Sequence, residues 1–333
     1  MPKTLVLPFL LTLQSLCPMD PNPNEEILYE SMPCIRIYKS GRVERFFGSE
    51  FTPATADPDT GVVSKDVSID PKTGVSARLY LPDLGADSSK KLPILVYFHG
   101  GGFCLGSAFN PTFHNYFNSF VSQAGVLVVS VDYRLAPEYP VPAAYEDSWI
   151  ALKWVVQKPD AWLADHGDFD RLFLGGESAG SNIAHHIAMR VGSEGLGSGM
   201  EINGLVMIHP YFMGSKKVES DELNPEASES LASLWTVMCP TTTGIDDPWI
   251  NPVVEGAPDL AGLRCRRVLV CVGEKDVLRD RGKEYYRKLK EGGWKGEAEI
   301  WEAVGEGHTF HLFKPTCEVA LAQDKTISNF LNR

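Results

Sequence analysis

Apolar positions along most of this chain alternate between two kinds of segment. Residues 75–81 place apolar side chains at every second position, as a half-buried strand does. Residues 92–98 form a continuous apolar run ending at His99, which marks a strand buried on both faces, and 126–131 read as another buried strand. Between them, 110–124 has helical spacing, and 143–156 carries Ala144, Trp149, Leu152 and Val155 on one helix face. The alternation continues with strands at 171–174, 202–209, 268–272 and 298–304, and helices at 179–191, 281–290 and 321–331. Strands alternating with helices predict an α/β fold whose mostly parallel central sheet is flanked by helices on both faces.

Two stretches break the rhythm. Residues 35–60 show only short apolar alternations (Ile35, Ile37, Val43, Phe46, Phe47) before a turn-rich segment at 52–61. Residues 211–259 are rich in Ser, Glu, Pro and Thr, with one short helix expected at 231–238. An excursion of that length between core strands predicts a cap over a site. The expected organisation is an extension at 1–18, an N-terminal cap segment at 19–60, and a main α/β domain at 61–333 interrupted by the insertion at about 211–259. Two separate domains is the weaker alternative, since no linker divides the α/β part. Lys3 followed by apolar residues 5–16 resembles a signal peptide faintly, but Pro8, Gln14, Ser15 and Pro18 interrupt the pattern. Met19 would serve equally as a start, so the sequence leaves 1–18 open between a targeting segment and an upstream start.

Composition narrows the function classes. With 333 residues, 44% hydrophobic and 22% charged, the chain can bury a large core. A net charge of −12 argues against nucleic-acid partners, which need clustered Lys and Arg, and against anionic membrane surfaces. No window has the run of apolar residues that a spanning helix requires. The cysteines at 17, 34, 104, 239, 265, 271 and 317 form no CxxC pair. Their odd count and irregular spacing fit a reducing, cytoplasmic compartment. Cys265 and Cys271 frame an expected strand and are read as packing. No H-x-x-x-H or H-E-x-x-H occurs and His185–His186 point to different helix faces, so no metal site is expected.

The chemistry lies in four loops. Gly176-Glu177-Ser178-Ala179-Gly180 matches G-x-S-x-G, with a strand before it and a helix after it. So sharp a reversal strains the serine backbone, demands small neighbours, and presents the hydroxyl at a helix N-terminus. His99-Gly100-Gly101-Gly102 ends another strand, and its unobstructed N–H groups suit an oxyanion hole completed by Ala179. The glycine spacing fits neither nucleotide motif, and His99 itself is read as structural. A serine nucleophile needs a base and the base an orienting acid, in chain order Ser, acid, His. Asp276, in Gly273–Asp276, and His308, in Gly305–His308, each follow a late strand in that order. Asp280 rivals Asp276 but lies further from its strand end; His185, His186, His209 and His311 are the weaker histidines.

These stretches resemble those of plant carboxylesterases, a branch of the hormone-sensitive-lipase-like α/β-hydrolases. The likeness runs from about Ile35 to the C-terminus and also carries Asp132–Asp147 (DYRLAPE and PAAYED) and the run PWINP at 248–252. It implies a cofactor-free esterase, monomeric or homodimeric, acting on a small ester, with an N-terminal lid and Gly101, Gly102 and Ala179 as oxyanion donors; Gly100 belongs to the same expected hole. Glu177 stands where the family more often has Asp, and residues 1–18 depart from its usual start. Two rival functions come with the resemblance. Gibberellin receptors use the scaffold for binding but have lost the histidine that His308 supplies here. The 2-hydroxyisoflavanone dehydratases and tuliposide-converting enzymes turn the same base and hole to elimination or internal transfer, some dehydratases with threonine at the nucleophile's place. Tyr211, Phe212, Trp235 and Phe310 line the expected cap region, as apolar ligand contacts or as lid packing.

Overall fold

A computed structural model describes residues 25–31, 34–85, 89–197 and 199–333. The expected extension at 1–18 and the start of the N-terminal segment lie outside them. Three short strands come first: β1 (Ile27–Ser31), β2 (Ile35–Tyr38) and β3 (Val43–Arg45), paired antiparallel in that order. Eight more strands form the central sheet: β4 (Val63–Asp70), β5 (Val75–Leu81), β6 (Leu92–Phe98), β7 (Leu127–Asp132), β8 (Gly167–Glu177), β9 (Ile202–Ile208), β10 (Cys265–Gly273) and β11 (Glu297–Ala303). Their spatial order is β11-β10-β9-β8-β6-β7-β5-β4. Every pairing from β11 through β7 is parallel, whereas β5 runs antiparallel to both β7 and β4. The sheet is therefore mostly parallel, as the sequence predicts.

The helices are α1 (Pro111–Ala124), α2 (Ala143–Val156), α3 (Ala161–His166), α4 (Ala179–Glu194), α5 (Glu219–Leu223), α6 (Pro225–Met238), α7 (Arg279–Glu291), α8 (Phe310–Phe313) and α9 (Glu318–Leu331). Strand β6 shows why its run is unbroken. Leu92, Ile94, Val96 and Phe98 pack into one core with Trp149 and Leu152 of α2 and Ile183 and Ile187 of α4. Leu95 and Tyr97 pack into the other, with Phe117 and Phe120 of α1 and Phe330 of α9. Each face of such a strand removes apolar surface from water, about 1.5–3 kcal/mol per large side chain.

Some elements are longer than periodicity suggests. β8 extends past 171–174 because Gly175 and Gly176 continue it; a Cβ at Gly175 would sit 3.0 Å from Leu95 and 3.2 Å from the Val206 carbonyl, so glycine permits that approach. Helix α6 begins at Pro225, with Asn224 accepting the Ala227 N–H, several residues before the apolar spacing begins. Its first turns are Glu and Ser, which leave no stripe to detect. Strands β1 and β4 have largely exposed or half-buried side chains and so little alternation of hydrophobicity.

The segment 211–259 carries α5 and α6. Arg281 of α7, almost wholly buried, donates to Asp221 of α5 and to the Gly214 carbonyl, each at 2.8 Å, tying the insertion to the body. Arg45 ties β3 down likewise, donating to the carbonyls of Cys104 and Ala136 and to Glu138.

Candidate active site

The turn between β8 and α4 is as tight as its sequence requires. Ser178 has φ 54° and ψ −119°, a conformation a non-glycine residue adopts only when its surroundings hold it there. A Cβ on Gly180 would lie 1.8 Å from the Phe98 carbonyl oxygen, and one on Gly176 2.4 Å from Gly180. Both flanking glycines are therefore obligatory: β8, α4 and the end of β6 meet with no room for a methyl group. The Ser178 N–H donates to the Ile208 carbonyl at 2.9 Å, which fixes the turn against β9.

Two later loops converge on that serine. The turn after β10 and the loop after β11 are stitched together: the Lys275 N–H donates to the Glu306 carbonyl at 2.9 Å, and Glu274 accepts the Gly305 N–H at 2.6 Å. Gly273 lets them touch, since a Cβ there would be 2.9 Å from the Glu306 oxygen. The result is a hydrogen-bonded chain. Ser178 Oγ lies 2.9 Å from His308 Nε2, and His308 Nδ1 lies 2.8 Å from Asp276 Oδ2. Asp276 is buried, and its other oxygen accepts the Leu278 N–H at 2.9 Å. Burial pushes the Asp276 carboxyl up, but the His308 charge and hydrogen bond, with His209 and the Leu278 N–H, hold it below the usual range on balance. For His308 burial works downward and the Asp276 carboxylate outweighs it, leaving the imidazole more basic than usual. Asp280 is turned elsewhere, bonded to the Ser220 N–H and Arg279.

The glycine loop departs from expectation at one position. The Gly100 N–H donates to Glu177 Oε1, so it has no hydrogen left for an oxyanion. Among the described residues, no hydrogen bond occupies the N–H of Gly101, Gly102 or Ala179, and Ala179 opens α4, where first-turn N–H groups have no partner within the helix. His99 is buried, with Nδ1 2.8 Å from the Gly100 carbonyl and its ring stacked on Tyr133 at 4.3 Å.

A cavity of about 330 Å³ opens on Ser178 and His308. Gly101, Gly102 and Phe113 line it, Leu231 and Leu234 come from α6, and Tyr29 and Phe47 from the N-terminal segment. Of the four aromatics expected near the cap, Tyr211 reaches the cavity wall, while Phe212, Trp235 and Phe310 are buried in packing.

Sequence reasoning passes over two residues here. Glu177, wholly buried, accepts from Tyr97 Oη–H as well as from Gly100. Its position beside the serine was visible, but its partners lie some 80 residues away. His209, which closes the strand expected at 202–209, sits beside Asp276 with Nδ1 3.5 Å from Oδ2. Ligand atoms of His209, Asp276 and His308 lie within 4.8 Å of one another, the spacing a metal ion would need. The atoms that face each other are already committed: Asp276 Oδ2 to His308 Nδ1, and His209 Nδ1 to the Thr309 N–H at 2.7 Å. Hydrogen bonding accounts for the cluster. No helix among the described residues is long and apolar enough to cross a membrane.

A serine hydroxyl hydrogen-bonded to an imidazole whose second nitrogen meets a buried carboxylate is equipped for nucleophilic attack, or for proton abstraction by the imidazole alone. The chain matches over residues 95–312 a family model described as the alpha/beta hydrolase fold. It belongs to that family, as a carboxylesterase-like member. It is 44% identical over 309 residues to probable carboxylesterase 2 of Arabidopsis thaliana, covering 93% of this chain and 98% of that one. To the 2-hydroxyisoflavanone dehydratase of Glycyrrhiza echinata it is 48% identical over 319 residues, covering 92% and 97%. Among solved structures, an esterase of Pyrobaculum calidifontis superposes with a TM-score of 0.67 at 30% identity, over 80% of this chain and 84% of the other.

Proposed function

We propose that this protein is a serine carboxylesterase that cleaves small esters through an acyl-enzyme. The observation that carries the reading is the chain Ser178–His308–Asp276, with bonds of 2.9 and 2.8 Å, hung on a serine at φ 54°. Ser178 Oγ attacks the ester carbonyl as His308 Nε2 takes its proton. Asp276 holds the Nδ1–H tautomer and stabilises the imidazolium. The N–H groups of Gly101, Gly102 and Ala179 receive the developing oxyanion. His308 then returns the proton to the departing alcohol, and water, activated by the same base, releases the acid. A cavity of about 330 Å³ with Phe113, Leu231, Leu234 and Phe47 in its wall suits short-acyl or aromatic esters.

Ser178→Ala should lower turnover of a short-chain aryl ester by several orders of magnitude and abolish labelling by a fluorophosphonate. A variant that hydrolyses and labels like the native protein removes the assignment. The 48% identity to a named dehydratase supports a second reading, in which His308 abstracts a proton beside a carbonyl and the same N–H groups hold the enolate. In that case Ser178→Ala leaves dehydration of a 2-hydroxyisoflavanone intact and His308→Ala abolishes it.

A further inference from the structure

His209 lies outside the proton path just described, yet it stands beside Asp276 and beside the loop that carries His308. It follows β9, with its N–H continuing the ladder to the Cys271 carbonyl at 2.8 Å, and it is 1% exposed. Its backbone is left-handed, at φ 48°. Its Nδ1 accepts the N–H of Thr309, the residue directly after His308, at 2.7 Å. Thr309 too has φ 48°, so the loop leaves His308 through a strained residue whose N–H is fixed by this bond. The same Nδ1 stands 3.5 Å from Asp276 Oδ2, the oxygen that receives His308. The His209 ring stacks on Phe310 at 5.8 Å and 25°, which sets its plane.

Accepting at Nδ1 means the proton of a neutral His209 is on Nε2, and that atom is buried with no hydrogen-bond partner among the described residues. The hydrogen bond that the His209 ring makes within the described residues is therefore the one at Nδ1. With Nδ1 committed as an acceptor, His209 offers Asp276 no hydrogen, and Oδ2 stays with His308.

We propose that His209 is a positioning residue: its Nδ1 clamps the loop carrying His308 through the Thr309 N–H and so holds His308 in line between Ser178 and Asp276. The proposal rests on the esterase reading of that triplet for its catalytic consequence, though not for its structural one. The charged and titratable groups around His308 and His209 are Asp276, Glu177 and His311, and none of them reaches the Thr309 N–H.

Two substitutions separate clamp from packing. The Oδ1 of Asn occupies nearly the place of a histidine Nδ1, so His209→Asn keeps an acceptor and loses the ring against Phe310. His209→Leu fills more of the volume and has no acceptor. The clamp predicts that Leu lowers kcat on an aryl ester about ten- to a hundredfold with KM little changed, and shifts the acid limb of the rate profile downward as His308 loses hold of Asp276. Asn keeps most of kcat despite the lower melting temperature expected from lost packing. The downfield proton of His308 Nδ1–H, followed by NMR, reads the same effect without substrate: retained in Asn, lost or exchange-broadened in Leu. A Leu variant with native kcat, acid limb and proton signal overturns the proposal, as does an Asn variant damaged as much as Leu. If Leu does not fold, the Asn signal decides alone. If the native protein neither hydrolyses esters nor reacts with a fluorophosphonate, the esterase reading fails, and the NMR comparison still judges the clamp.

Discussion

Glu177 and Gly100 are joined by a hydrogen bond from the Gly100 N–H to the Glu177 carboxyl, which ties the residue before the proposed nucleophile to the first glycine of the opposite loop. The serine turn and the glycine loop are thereby set against each other by one buried side chain, and Tyr97 holds its second oxygen.

The Glu177 bond has a pH signature. Burial raises the carboxyl from its ordinary 4.5 to about 7, against the opposing pull of the Tyr97 and Gly100 hydrogen bonds. A carboxyl that is harder to ionise in the folded protein binds more protons there than when unfolded, so stability falls as pH rises from about 4.5 to about 7. Glu177→Gln keeps an acceptor for Gly100, lets Tyr97 turn and accept, and removes the ionisation. Its melting temperature should gain on the native protein across that window, by up to about 3 kcal/mol in stability at neutral pH, and then level off. A constant difference from pH 4 to 8 refutes the account. Glu177→Ala should instead cost about 1–3 kcal/mol for each partner left unpaired.

Asp276→Asn tests the orientation of the base. The carboxylate raises the basicity of His308 against burial, so the acid limb of kcat/KM for the native protein should lie above the ordinary imidazole value. With Asn in place the burial remains and the charge is gone; the limb should move below that value and kcat drop on the order of 10⁴-fold through loss of the correct tautomer. A pH–rate profile from 5 to 9 on an aryl ester measures both. An unmoved limb would mean that another group serves as the base.

Gly101→Ala separates the hole from the nucleophile. Gly101 has φ +105°, and a methyl there would lie 2.2 Å from the Leu105 carbonyl oxygen, which belongs to the backbone and cannot swing aside. The loop must shift, carrying the Gly101 and Gly102 N–H groups away from the oxyanion position. We expect kcat to fall about 10²–10³-fold, while the His308 Nδ1 proton resonance stays in place because the triplet is untouched. Native kcat would place the oxyanion donors elsewhere.

Much of this was legible from the chain because the physics is local. The two-faced apolar run of 92–98 can only be a covered strand, and G-x-S-x-G between a strand and a helix fixes where the serine stands. Asp276 is picked out because it follows the apolar run at 268–272, and His308 because it follows a last strand at 298–304 and completes the order Ser, acid, His, although Glu299 and Glu302 interrupt the apolar pattern of that strand. What escaped notice depends on long-range contacts between polar side chains. Gly100 resembles its neighbours in sequence, and only the position of Glu177 shows its N–H to be spent. His209 ends a strand as many polar residues do; its bond to Thr309 spans 100 residues. β4 and β1 are harder to read for another reason: they are edge strands whose few apolar residues, half-buried or exposed, are outnumbered or interrupted by polar ones.

Leu234 sets a limit on what the site can take. Half-buried on α6, it faces the cavity, and a Cβ on Gly102 would be 2.6 Å from its Cδ2, so the isobutyl group lies directly over the glycine whose N–H is proposed to hold the oxyanion. A chain extending from the reacting carbonyl toward α6 meets that group first. Leu234→Ala removes three carbons and opens the wall without disturbing Trp235, which is packed on the other side against Phe103 and bonded to Thr242. The ratio of kcat/KM for a hexanoyl ester to that for an acetyl ester should rise about tenfold, within what one or two methylenes in an apolar pocket are worth. Activity on acetate should change little, since a two-carbon acyl group does not reach the wall. An unchanged ratio would show that the acyl chain leaves in another direction, toward Phe47 and the N-terminal segment, and would move the specificity determinant to that side of the cavity.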